Sequence, residues 1–340
     1  MENDNTYNYT LDKIRMIAAL SIVVLHLSAG NNSVIRCINA LTRFAVPFFF
    51  MISGYYSFGL NNLIWKQKIL TRIIKLLRLA FIMEIIAAIH YGAVTGLRDI
   101  LVNWIMPELP LHIRLLRILG GVVGNYGAGW FVYALIVTYI LYIVVRSLCI
   151  EKLACIGGGI LLTVHIILNI TVMQSISSDI YVSNTFFMGL PCFWVGYMIK
   201  PYVDNNRNNQ NIRRFLCMVL ICSIIYSGYY GIYFESDLNL GAIAIAGSLL
   251  ALSQLKGAKE TVSVISDFLS ISGRKYSSYI YILHLYAIEM VDHTFEITDA
   301  RGLSIDAMLI RMLSVIFIVI VVCLVCYVFD KYVIKLYKDC

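Results

Sequence analysis

The chain is written in long apolar blocks separated by short polar stretches. Counting the runs able to cross about 30 Å of hydrocarbon as helices gives ten: residues 11–28, 37–58, 74–95, 128–149, 153–172, 180–199, 215–234, 239–255, 277–291 and 307–329. Two of them are short. The pattern predicts an all-α polytopic membrane protein, a bundle of about ten transmembrane helices forming one domain over 1–340. The opening MENDNTYNYT is polar and acidic and no small-residue cleavage site follows it, so the first block is expected to stay as a spanning helix.

The polar stretches orient the bundle, because cytoplasmic loops carry the lysine and arginine excess. With the N-terminus inside, twenty of the 27 cations face the cytoplasm. Seven, Arg36, Arg43, Arg98, Arg114, Arg117, Arg301 and Arg311, are left outside. The loops around Asp179 and around Glu235 and Asp237 are acidic and hold no cation. Both termini are therefore expected in the cytoplasm, the second as a basic tail over 330–340. The outside segment 97–127, with the amphipathic LHIRLLRILGGVV, is expected to lie on the outer surface or dip back as a lid. The asparagine-rich stretch 200–214 reads as a flexible cytoplasmic loop.

Composition agrees: 60% hydrophobic and 14% charged residues belong in a bilayer. The net charge of +7 is set by loop distribution, and no nucleic-acid partner is expected. Eight of nine cysteines lie in apolar runs and read as small hydrophobes. Cys323 and Cys326 have a metal-pair gap but neither a second pair nor a histidine nearby, so no metal is expected.

The first block, LDKIRMIAALSIVVLHLS, places Arg15 and His26 in one spanning helix. Eleven residues amount to three turns plus about 20°, so the two share a face and stand roughly 16 Å apart along the axis. One elongated ligand would touch both. The plainer alternative makes Arg15 a snorkelling anchor and His26 an interfacial hydrogen-bonding residue. The second block ends in AVPFFFMISGYYSF, where Pro47 can kink the helix and Gly54 admits close approach beside Ser53, Tyr55 and Tyr56. At the cytoplasmic entrance of the third block, Arg72, Lys75 and Arg78 recur every three residues on one face. They read either as anchors at lipid headgroups or as a phosphate site for a cytosolic nucleotide-bearing donor. Glu84, in mid-block, reads as the partner of His26 or as a proton or cation site. Glu289 reads as structural. Trp130, after three glycines, and His284, at the centre of a short aromatic block, complete the set.

Taken together, the Arg15–His26 spacing, the Ser53–Gly54–Tyr55 element, the basic triplet, Trp130 and His284 resemble integral-membrane acyltransferase family 3. The triplet departs from the family pattern in having Lys75 at its centre and no proline after it. The resemblance implies a bacterial cell-membrane enzyme that moves an acyl group, usually acetyl, from cytosolic acyl coenzyme A (acetyl-CoA) to a hydroxyl of a cell-surface glycan or related acceptor. By that reading Arg72, Lys75 and Arg78 hold the coenzyme's phosphates, its arm passes Arg15, and His26 serves as general base or takes the acyl group transiently.

The segment TRFAVPFFFMISGYY is also similar to the membrane half of the vancomycin-resistance serine racemases. That resemblance implies L-serine uptake, with a cytoplasmic pyridoxal-phosphate racemase as partner domain or subunit. Residues 1–340 supply no cofactor lysine in a soluble barrel, so racemisation is not expected of them. No Walker loop, dinucleotide turn, HExxH or serine elbow is present, which excludes nucleotide-driven pumps and membrane metalloproteases from the reading.

Overall fold

The computed structural model describes residues 8–27, 32–95, 129–171, 184–234, 239–255 and 264–329. The expected outer segment 97–127, the acidic loops and the tail 330–340 lie outside the described residues. Among the described residues, helix is the sole regular secondary structure. The helices are α1 (Tyr9–Leu27), α2 (Ser33–Thr42), α3 (Ala45–Tyr55), α4 (Trp65–Thr95), α5 (Trp130–Ser147) and α6 (Glu151–Thr171). A π-turn at Thr185–Gly189 leads into α7 (Leu190–Asn205). Then come α8 (Gln210–Tyr233), α9 (Leu240–Gln254), α10 (Val264–Lys275), α11 (Ser277–Thr294) and α12 (Ile305–Val328).

Among the described residues, each of the ten apolar blocks is mainly helical. Among the described residues, four stretches are long and apolar enough to cross a membrane by length and composition: Ser33–Tyr55, Trp130–Ser147, Gln210–Tyr233 and Ile305–Val328. Helix α1 carries Asp12, Lys13 and Arg15, and α9 has 15 residues, about 22 Å at the helical rise. Such elements cross only with charges satisfied inside the protein or with the bilayer adapted to them.

Three sequence expectations are corrected. The second block is two helices, broken at Arg43 and Phe44. Pro47 has no N–H for the Arg43 carbonyl four residues back, so the ladder resumes only with the Phe48 N–H on the Phe44 carbonyl. The 200–214 stretch is not a flexible loop. α7 runs to Asn205 and α8 starts at Gln210, capped by the Asn209 side chain on the Asn211 and Ile212 N–H groups. Its asparagines serve as cap and turn residues. Thirdly, α10 lies where a loop was expected; its serines and charges hid it from a search for apolar runs.

The chain forms two compact units, Met1–Phe49 with Tyr202–Cys340, and Phe50–Pro201. In the first, α1 is capped by Asn8, whose side chain accepts the Leu11 N–H at 2.9 Å. α1 packs on α10, α11 and α12, with Met16, Ala19, Val23 and Leu27 buried against Ile280, Ile288, Met308 and Val315. At Gly273 the α10 backbone lies so close to the Asp12 carbonyl that a Cβ has no room. α8 packs on α2 and α9. In the second unit α4 and α6 flank α5, and α3 meets α7 through a pair of glycines described below.

Candidate functional site

In the first unit the last turn of α1 presents His26, which is exposed, beside the fully buried His284 of α11. Their ring centroids are 4.9 Å apart. Nδ1 of His284 lies 2.8 Å from the Tyr281 carbonyl oxygen. A carbonyl only accepts, so this nitrogen carries the proton, and in the neutral ring Nε2 is an acceptor. Among the described residues that buried Nε2 has no hydrogen-bond partner.

At the other end of α1, Arg15 donates to the buried Asp12 at 2.8 Å, and Arg274 of α10 approaches the second oxygen of Asp12 at 3.9 Å. Both guanidiniums are partly exposed, at 24% and 32%. Arg15 and His26 thus stand at opposite ends of one helix, each with its own partners.

The second unit gathers the remaining candidates. Arg72 is half-buried; one Nη donates to Ser57 Oγ at 3.0 Å and the other to the Tyr56 carbonyl at 2.9 Å. Its guanidinium also lies 5.9 Å from the Tyr139 ring. Lys75 and Arg78 are exposed. Because α4 begins at Trp65, the triplet sits two turns inside a helix and not at its entrance, and only its first member turns inward. Glu84 accepts the Tyr133 hydroxyl at 2.7 Å.

Around the Ser53–Gly54–Tyr55 element the backbone is tightly held. A Cβ on Gly54 would run into the Phe193 carbonyl, and one on Gly196 into the Met51 carbonyl. Gly54 therefore serves helix packing as two backbones meet. Tyr55 is buried with the Lys200 ammonium 5.0 Å from its ring, and the Ser53 carbonyl accepts the Ser57 hydroxyl at 2.7 Å. Trp130 opens α5 with its ring 6.5 Å from Phe50.

Sequence reasoning missed several residues. Arg146 and Lys200 belong to the twenty cations assigned to the cytoplasmic face by charge alone. Arg146 donates to the Leu60 carbonyl at 2.6 Å and to the Tyr142 hydroxyl at 2.9 Å, and Tyr142 donates to the Ser57 carbonyl at 2.7 Å. Arg311 and Asp292 form a two-pronged ion pair at 2.5 and 2.6 Å. One signal pointed there: Arg311 falls inside the block 307–329, and a cation inside a span demands a partner.

No curated protein and no solved structure matches the chain. The family model described as an acyltransferase domain matches residues 8–331. That match takes in α1 with Arg15 and His26, the glycine crossing, the basic helix α4 and the whole of α12. With nearly its full length covered, this all-helical chain belongs to acyltransferase family 3.

Proposed function

We propose that this membrane acyltransferase transfers an acyl group, acetyl in the first instance, from cytosolic acyl coenzyme A to a hydroxyl of a cell-surface glycan or related acceptor, with His26 as general base. The observation that carries the reading is the His26 ring, exposed on one side and set against the His284 imidazole on the other. A base needs an accessible nitrogen and a fixed ring, and a neighbour with an acceptor nitrogen favours one tautomer.

In the step, His26 takes the proton of the acceptor hydroxyl as its oxygen attacks the thioester carbonyl carbon. The tetrahedral adduct collapses, the carbon–sulfur bond breaks, and the departing thiolate receives the proton held by His26. Arg15 offers its remaining N–H groups to the donor; taken by itself, the exposed pair Lys75 and Arg78 on α4 has the chemistry that suits phosphate. The proposal keeps ten spans in a bacterial cell membrane with both termini cytoplasmic.

The test follows labelled acetyl release from acetyl-CoA by purified protein in nanodiscs, wild type beside His26→Ala, both shown to be folded. Turnover or self-labelling by the wild type alone is expected. Absence of binding and consumption by the wild type would overturn the reading, and serine uptake into proteoliposomes would then be measured.

A further inference from the structure

Arg311 lies in the second turn of α12 and is 5% exposed. Two edges of its guanidinium are fixed by Asp292 of α11, Nε to Oδ1 at 2.5 Å and Nη2 to Oδ2 at 2.6 Å. This is the parallel two-bond geometry peculiar to arginine with a carboxylate. The third nitrogen, Nη1, donates to the Leu27 carbonyl at 3.2 Å. Leu27 is the last described residue of α1. His26 is its immediate neighbour. One guanidinium therefore joins the end of α1 to α11, which also carries His284, and to α12.

Stability does not explain this arrangement. A buried ion pair often contributes no more than apolar residues of the same volume, because desolvation offsets the attraction. An arginine within a membrane span adds to that penalty. What the pair does supply is direction: Asp292 holds the guanidinium in one orientation, and that orientation aims Nη1 at a single backbone atom beside His26.

We propose that Arg311, oriented by Asp292, is a positioning residue for His26. By holding the Leu27 carbonyl it fixes the rotation and register of the last turn of α1 against α11. His26 is thereby kept against His284 with its other edge open to substrate. The inference rests on the reading of His26 as general base.

The experiment uses the full chain in nanodiscs. Arg311→Met combined with Asp292→Asn removes both charges together, so that no buried charge is left unpaired. Arg311→Lys keeps the charge beside Asp292 but loses the planar fork. For both, the unfolding midpoint, kcat, KM for acetyl-CoA and the ¹⁵N resonances of the histidines are measured. Expected are a midpoint close to wild type, kcat lowered about 10- to 100-fold, as for a reacting group displaced by about 1 Å, and unchanged KM. The His26 resonances are displaced while those of His165 stay in place. A kcat within about twofold of wild type in a folded Arg311→Lys or double variant overturns the proposal, since a residue that positions the base cannot be dispensable to turnover. Should His26→Ala retain wild-type turnover, it is the base assignment that fails. The histidine resonances then decide whether Arg311 places His26, and unmoved ones overturn the inference.

Discussion

The imidazoles of His26 and His284 stand 4.9 Å apart with their planes inclined by 44°, and the Tyr281 carbonyl takes the Nδ1 proton of the buried ring. That arrangement leaves Nε2 of His284 as the acceptor beside the exposed histidine. His284→Phe preserves ring volume and removes the acceptor, so kcat is expected to fall about tenfold or more, with the fold retained. His26→Ala is expected to lose about 10²- to 10⁴-fold, the usual worth of a general base. Steady-state rates in nanodiscs check both, and full turnover by His284→Phe would reduce that residue to packing.

Gly54 and Gly196 face each other's helices reciprocally, Gly54 under the Phe193 carbonyl and Gly196 under the Met51 carbonyl. The atoms that a new methyl would strike are backbone, which cannot rotate away. Gly54→Ala and Gly196→Ala are each expected to destabilise by about 1–3 kcal/mol. The double variant is expected to cost less than the sum, since one separation of α3 from α7 relieves both clashes. Thermal unfolding in detergent measures all three.

Glu84 accepts the Tyr133 hydroxyl at 2.7 Å, a contact between α4 and α5. An amide oxygen can accept the same bond, so Glu84→Gln is expected to retain acyl transfer and lose about 1 kcal/mol of stability. Tyr133→Phe leaves the carboxylate short of a donor and is expected to cost more, up to about 3 kcal/mol. Loss of turnover in a stable Glu84→Gln protein would make the charge itself functional.

The helices were legible because a bilayer-length apolar run has few alternatives to helix. Blocks 11–28, 128–149 and 277–291 fall on α1, α5 and α11 with no end shifted by more than three residues. α10 was illegible for the opposite reason: Ser266, Asp267, Ser270, Ser272 and Arg274 look like loop, and only contact with α1 reveals their helix. The His26–Arg15 relationship could be read from helical periodicity alone. The His284, Arg274 and Arg311 contacts could not, because they depend on how distant helices pack. Gly54 was legible as a place of close approach, but not which backbone it approaches.

The basic triplet on α4 separates two kinds of cation that the sequence treated alike. Arg72 is tied to Ser57 and to the Tyr56 carbonyl, whereas Lys75 and Arg78 are exposed. Arg72→Ala removes its bonds to Ser57 and to the Tyr56 carbonyl and is expected to lower stability by about 0.5–1.5 kcal/mol. Lys75→Ala and Arg78→Ala are expected to stay within about 0.5 kcal/mol of wild type. If the exposed pair meets the donor's phosphates, the two alanine variants raise KM for acetyl-CoA several-fold. They also flatten the dependence of KM on salt, because screening acts on the charges they remove. Unfolding curves and KM at two ionic strengths distinguish the roles. An unchanged KM in both exposed variants would assign Lys75 and Arg78 to lipid headgroups and would move the search for the phosphate site to Arg15, whose guanidinium is partly exposed beside Asp12.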